Sequence, residues 1–208
     1  TLAPFSIFSN VQRKAKESKL NFPLYILDNW PKIRTQVEHD VRDMRRKTTY
    51  ERASDAIEIT YDAIFDRLAQ NLDLNKNQVE FLKNTEIQAE LEHVEPIFER
   101  IALLFEQLEK GNEVILISDM YLPENVIRQM LKSADERLAE LPLYLSASIG
   151  HQKSTGKLYK HIFFKSRYKY QRWVHYGDNA HADGAVPRKL GIETFVHQMD
   201  AFVPYEKL

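Results

Sequence analysis

The sequence predicts an α/β fold: a doubly wound parallel sheet in the second half of the chain, preceded by a helical first half. Two observations support this prediction. The first of the six glycines, Gly111, lies past the midpoint of the 208 residues, so residues 1–110 are glycine-free and rich in helix formers. After Gly111, short apolar runs alternate with helical patterns. That order is typical of strands joined by crossover helices in a parallel sheet.

The composition excludes several classes of protein. Hydrophobic residues make up 43% of the chain and charged residues 28%, as in ordinary globular domains. The formal net charge of -1 provides no general attraction to nucleic acid or to an anionic membrane. No apolar run approaches the roughly 20 residues of a membrane span. The absence of cysteine excludes disulfides and thiolate chemistry. The first residues lack the pattern of a signal peptide, and we therefore expect a cytoplasmic location.

The first half is predicted to form a series of helices. From Pro4 to about Lys19, apolar residues recur every three or four positions, which is the helical period. Further helices are expected at residues that commonly open or cap them, namely Pro31, Thr60, Asn75 or Asn77, and Pro96. The last of these helices should end at the basic–glycine pair 110–111.

The second half is predicted to contain four strands. The runs are Val114–Ile117, Leu143–Leu145, Trp173–Tyr176 and Ile192–Val196. We expect the first of them, a continuous apolar run, to be buried on both faces of the sheet. Helices are expected after Pro123, after Gly156 and over Asp183–Lys189.

Polar residues lie directly after three of these strands, where parallel sheets bind their ligands. They are Ser118 and Asp119, then Ser146, Ser148 and Lys153, then Asp178, Asn179 and Asp183. A hydroxyl, an ammonium and carboxylates suit a phosphate held together with a magnesium ion. Each residue alone also has a purely structural interpretation: a serine can cap a helix, a lone lysine can be solvated, and Gly-Asp-Asn can be a turn.

The order of these segments resembles the haloacid dehalogenase-like superfamily. Val114–Pro123 resembles its second motif, Ser148–Tyr159 its third, and His175–Asp183 its fourth. The resemblance implies a Rossmann-like α/β core with an inserted helical cap. It divides the chain into residues 1–15 after the first motif, a cap over 16–95 and a core over 96–208. The wording Ser-Asp-Met-Tyr-Leu-Pro is similar to a subgroup found beside glycosyltransferases in bacterial polysaccharide gene sets.

The resemblance implies a magnesium-dependent phosphohydrolase that acts on a small phosphomonoester through a phosphoaspartate. Ser118 and Lys153 would be catalytic, with Lys157 as the alternative lysine. Asp178 and Asp183 would hold Mg²⁺. The residues that would contact the phosphate are Ser118, Asp119, Lys153 and Asn179. The same fold also supports cleavage of a carbon–halogen bond and phosphomutase chemistry, so fold alone does not choose among these activities.

The sequence departs from the family at its first motif. That motif is an apolar strand followed by Asp-x-Asp, which provides the nucleophile, and no Asp-x-Asp occurs here. The stretch 3–8 resembles the segment that comes shortly after this motif in the family. Loss of a central strand would leave buried backbone groups unpaired, at about 1–3 kcal/mol each. We therefore expect the strand to exist upstream in a longer protein, and the chain as given to be inactive.

The alternative function is a non-catalytic module that binds a partner protein or a phosphorylated ligand. The basic stretches Arg42–Arg52 and Lys165–Arg172 are candidate surfaces for such a partner. A solvated helix face is the simpler interpretation of both stretches. Aromatic residues within the second stretch resemble a nucleic-acid surface, but the neutral net charge argues against nucleic acid as a partner. Arg34 and Arg45 could reach an anionic group, although we expect them to form ion pairs on a helix surface.

Overall fold

A computed structural model describes residues 4–48 and 58–197 of the chain. These residues form helices and short strands in the following order: α1 Pro4–Glu17, α2 Leu24–Thr48, α3 Tyr61–Leu72, α4 Lys76–His93, α5 Phe98–Glu109, β1 Leu116–Ser118, α6 Glu124–Ala134, β2 Leu143–Leu145, α7 Ser146–Ile149, α8 Lys157–Lys165, β3 Val174–Gly177, α9 Val186–Lys189 and β4 Glu193–Val196. Single 3₁₀ turns cover Glu136–Glu140 and Lys153–Thr155, and a π-helical turn covers Ala180–Ala185.

Two of the predicted helix caps are confirmed. The side chain of Thr60 accepts a hydrogen bond from the backbone N–H of Ala63, 3.2 Å away, at the start of α3. Asn75, rather than Asn77, begins α4, and its side chain forms a reciprocal capping box with Gln78. These caps are readable in the sequence because both partners lie within three residues of each other.

The prediction that Pro31 begins a helix is wrong. Helix α2 starts at Leu24 and continues through the proline. A proline in a helix has no N–H for the carbonyl four residues earlier. That carbonyl, of Leu27, instead accepts the side-chain amide of Gln12 from α1 at 2.6 Å. A contact between helices therefore replaces the missing hydrogen bond.

The predicted doubly wound parallel sheet is also wrong. The described residues are 66% helical, and their four strands form two separate two-stranded sheets. Strand β1 pairs in parallel with β2, and β3 pairs in parallel with β4. No described strand joins the two sheets. The strands lie close to their predicted positions, but apolar runs do not specify which strands pair. Residues 114–117 are half-buried rather than covered on both faces, because β1 is paired on one side only.

The helical first half is not a separately packed cap. One continuous hydrophobic cluster includes residues of α1 to α4 together with residues of α6 and β2, among them Ile7, Trp30, Leu68, Val126 and Leu145. The expectation of an inserted cap on a Rossmann-like core is therefore corrected. No helix within the described ranges is long and apolar enough to cross a membrane.

Candidate functional site

Lys153 is the residue at which the two sheets come together. Its backbone N–H donates to both carboxylate oxygens of Asp119, at 2.9 and 3.0 Å, directly after β1. Its ammonium lies 2.7 Å from Oδ1 of Asp183, which lies beyond the end of β3. The carboxyl ends of β1 and β3 therefore meet at one lysine. Its side chain is 14% exposed, so the ammonium is nearly buried but can still be reached from solvent.

Asp183 is a buried carboxylate held by several donors. Besides Lys153, Nε2 of His175 lies 2.9 Å from Oδ1, and the backbone N–H of Asn179 donates to Oδ2 at 3.1 Å. Burial is the largest influence on Asp183 and favours its neutral form. The hydrogen bonds from His175 and Lys153 outweigh it and hold the pKa of Asp183 well below its usual range. Asp183 is therefore ionised at neutral pH.

Tyr159 and His175 complete the buried cluster. The Tyr159 hydroxyl donates to the carbonyl of Ala182 at 2.8 Å and lies 3.1 Å from Nε2 of His175. An ionised Asp183 can only accept hydrogen bonds, so Nε2 of His175 carries the proton that it shares with Asp183. Burial, reinforced by the charge of Asp183, raises the pKa of Tyr159 far above its usual value. Tyr159 therefore acts here as a neutral hydroxyl.

The backbone around Asp183 is unusually close-packed. A Cβ added at Gly177 would lie 2.4 Å from Cγ of Asp183, which only glycine avoids. The side chain of Asn179 accepts from the backbone N–H groups of His181 and Ala182 and so begins the π-helical turn. π-helical turns are rare and concentrate at functional sites. The Gly-Asp-Asn segment is thus a tightly built support for Asp183 as well as a turn.

Of the remaining predicted phosphate ligands, Asp119 contacts Lys153 directly, and Ser118 precedes Asp119 in the chain. Ser118 is the last residue of β1, and its hydroxyl has no hydrogen-bond partner within residues 4–48 and 58–197. Asp119 is half-buried and uses its carboxylate to fix the Lys153 backbone. Burial is the largest influence on Asp119 and raises its pKa, and the contacts with Lys153 oppose that shift. The phosphate-binding roles given to these residues stay predictions.

The described residues do not by themselves form a metal site. They contain no group of three or more His, Cys, Asp or Glu side chains placed to hold a metal ion. Asp183 is already occupied by Lys153 and His175, and Asp178 is an exposed residue of the turn. The expectation of a metal-binding chain is therefore wrong for the described part. The individual roles given to Asp178 and Asp183 stay predictions.

The alternative lysine, Lys157, lies elsewhere. It begins α8 and lines a shallow cavity of about 230 Å³ with His151, Lys160, His161 and Phe164. The ammonium of Lys153, by contrast, contacts Asp183. The two lysines therefore belong to different environments, and substitution experiments can separate their roles.

A second polar cluster, centred on Glu58, lies outside the three sequence motifs. Glu58 is 5% exposed, and its Oε1 accepts from Arg42 at 2.9 Å. Its Oε2 accepts from the hydroxyl of fully buried Ser146 at 2.8 Å and from Nε2 of Gln152 at 3.2 Å. The sequence pattern predicts Ser146 near the site but does not predict Glu58, because 88 residues separate the two partners.

Several cations of the basic stretches are paired with acids. Arg42 is part of the Glu58 cluster, and residues 49–52 of that stretch lie outside the described residues. In the second stretch, Lys169 and Tyr170 contact Glu113, and Arg172 pairs with Glu193. Arg34 forms a fully buried pair with Glu86 rather than the expected pair on a helix surface. These ion pairs reduce the positive charge available to a partner.

No protein-family model matches the chain, and no curated protein matches it. The resemblance to haloacid dehalogenase-like enzymes therefore rests on the quoted motifs alone.

Proposed function

We propose that the Lys153–Asp183 site binds the phosphoryl group of a small phosphomonoester and supports its hydrolysis. The observation that supports this proposal is that Lys153 is fixed at both ends, through its backbone N–H to Asp119 and through its ammonium to Asp183. An ammonium has three donors. Asp183 uses one of them, which leaves donors for an anion that approaches from solvent.

The other roles are inferred from chemistry. Ser118 ends β1, and its hydroxyl, which has no partner among the described residues, can donate to a phosphoryl oxygen. Asp183 holds the Lys153 ammonium in place through their contact at 2.7 Å. Positioning and charge are most of what a protein contributes to phosphoryl transfer.

Hydrolysis also requires a nucleophile, and the described carboxylates of the site do not provide one. Asp119 and Asp183 both accept hydrogen bonds that build the site. We propose that the aspartate nucleophile comes from residues outside the described ranges. The described residues also do not fit a magnesium ion by themselves, so no step of the proposal depends on one.

The second candidate function is binding of a phosphorylated ligand without turnover. It is favoured by the hydrogen bonds that Asp119 and Asp183 already accept. Carboxylates held in this way leave room for a bound phosphoryl group but do not form a covalent bond with it. A cytoplasmic location and membership of a polysaccharide-linked subgroup stay proposals as well.

The experiment uses the purified full-length protein and measures binding of inorganic phosphate by calorimetry, and phosphate release from p-nitrophenyl phosphate, each with and without added Mg²⁺. Lys153→Met should abolish binding, and Lys153→Arg should retain part of it. Lys157→Met, the matched control, should bind like the unmodified protein. Binding with release supports the hydrolase, and binding without release supports the second candidate. Absence of phosphate binding in the unmodified protein would contradict the proposed site. An equal loss of binding in Lys153→Met and Lys157→Met would contradict it as well.

A further inference from the structure

Glu58 is a member of a closed ring of hydrogen bonds. The ring also includes Asp119 and Lys153, which are bonded to each other at the candidate site. Its Oε2 accepts from Ser146, and the Ser146 hydroxyl oxygen in turn accepts from the backbone N–H of Met120 at 2.9 Å. The same Oε2 accepts from Gln152. Met120 is the residue after Asp119, and Gln152 precedes Lys153. The bond from the Lys153 N–H to Asp119 closes the ring.

Two members of the ring, Glu58 and Ser146, are buried and have hydrogen-bond partners. Ser146 is fully buried, and Glu58 is 5% exposed. A buried carboxylate is stable only when donors surround it. Glu58 has four, since Oε1 accepts from Arg42 and from the backbone N–H of Ile59. A carboxylate held from both sides gives its other partners a fixed reference point.

Ion pairs outside the ring connect Arg42, one of the donors to Glu58, with the helical half of the chain. Arg42 donates to Glu38 at 3.0 Å, and Glu38 accepts from Arg34 at 3.2 Å. Arg34 in turn pairs with Glu86 of α4 at 2.8 Å. Alternating charges therefore run without a break from the core of the helices to Glu58.

We propose that Glu58 is a positioning residue, which fixes Met120 and Gln152 and thereby holds Asp119 and Lys153 in the geometry that binds a phosphoryl group. The effect on phosphate rests on the proposed function, whereas the effect on the backbone does not. Glu58 acts through Lys153 and does not itself touch the ligand. A glutamine at this position presents an NH₂ group to donors, so Glu58→Gln should open the ring without changing its size.

The test compares Glu58→Gln with Glu38→Gln, a matched control that also removes a carboxylate from Arg42 but lies outside the ring. Amide hydrogen exchange is followed by NMR, with Leu82 in the core as the reference for global unfolding. Glu58→Gln should speed exchange at Met120 and Lys153 by about tenfold or more relative to Leu82. Glu38→Gln should leave both amides within about twofold. Equal effects of the two variants would overturn the proposal.

Two further variants separate the branches of the ring and replace Glu58→Gln should it fail to fold. Ser146→Ala should speed exchange mainly at Met120, and Gln152→Leu mainly at Lys153. Uniform acceleration across the core in both variants would mean that the ring is merely structural.

Phosphate binding provides an independent measurement. Glu58→Gln should weaken affinity for inorganic phosphate about tenfold, and Glu38→Gln should not. In a Lys153→Arg background, which retains part of the binding, Glu58→Gln should cause a smaller loss than it causes in the unmodified protein, whereas a fully additive loss would contradict action through Lys153. A protein that binds no phosphate contradicts the proposed function alone, because the exchange measurements still decide the positioning role.

Discussion

Replacing Arg34 by methionine tests the buried charge network at its most enclosed point. Arg34 and Glu86 are both 0% exposed, and the guanidinium donates to the carboxylate at 2.8, 3.0 and 3.2 Å. The ring of Phe8 and that of Tyr121 flank the guanidinium at 4.8 and 5.3 Å. The substitution keeps most of the side-chain volume but leaves Glu86 buried without its cation. Breaking a buried pair from one side typically costs about 3–5 kcal/mol.

The pH dependence gives a second magnitude for the same substitution. Burial already raises the pKa of Glu86 above its ordinary value of 4.5, against the effect of Arg34. Without Arg34, Glu86 should fold in its neutral form. Protonating it at pH 7 costs about 3.4 kcal/mol, and at pH 5 about 0.7 kcal/mol, at 1.36 kcal/mol for each pH unit above the ordinary pKa. A raised folded-state pKa favours folding at low pH, so the cost should shrink as the pH falls.

Urea unfolding at pH 5, 6 and 7 measures this difference. Arg34→Met should lose about 3–5 kcal/mol at pH 7 and clearly less at pH 5. Arg34→Met combined with Glu86→Leu should recover most of the loss and remove its pH dependence. Arg13→Met, which breaks a pair that is 59% and 61% exposed, should cost less than about 1 kcal/mol. A loss for Arg34→Met below about 1 kcal/mol, or one that is the same at pH 5 and pH 7, would refute the reasoning.

Two further predictions concern the site. Gly177→Ala should lower the free energy of unfolding in urea by about 1–3 kcal/mol, because the added Cβ would clash with the fixed side chain of Asp183. Gly191→Ala is the control for backbone strain, since Gly191 has φ +81 but open space around its Cβ, and it should cost less. Asp183 has a lowered pKa, so its stabilisation is complete above its ordinary value of 3.8 and lost as pH falls through the folded-state value. Asp183→Asn should therefore flatten the loss of stability below about pH 4, and an unchanged acid profile would contradict this.

The sequence predicted local features better than pairing. Thr60 and Asn75 cap helices through residues three positions away, so the pattern itself contains both partners. Pro31 lies inside a helix rather than at its start. The sequence around it does not show this, because the Gln12 side chain that bonds the unpaired carbonyl of Leu27 comes from another helix. The sheet was predicted wrongly for the same reason: short apolar runs locate strands, but the partner of a strand depends on distant residues.

The site shows the same division. Asp183 and Lys153 are visible as motif residues, but 30 positions separate them, and only the folded chain shows their contact. The sequence pattern places Tyr159 in a helix and His175 in a strand, and a histidine inside an apolar strand indicates a buried polar partner. Glu58 gave no signal, because its role depends on Ser146 and Gln152, 88 and 94 residues away.

The charges around Lys153 limit what that residue does for a phosphoryl group. The site around Lys153 contains one ammonium and two carboxylates, that of Asp183 on the ammonium and that of Asp119 on the backbone N–H, so the described site is negative overall when both are ionised. A phosphate dianion that enters it is attracted by Lys153 and repelled by these carboxylates. Lys153 therefore positions a phosphoryl group more than it neutralises one. The fixed backbone bond to Asp119 and the Glu58 ring contribute to that positioning, whereas neutralisation requires positive charge beyond that of Lys153.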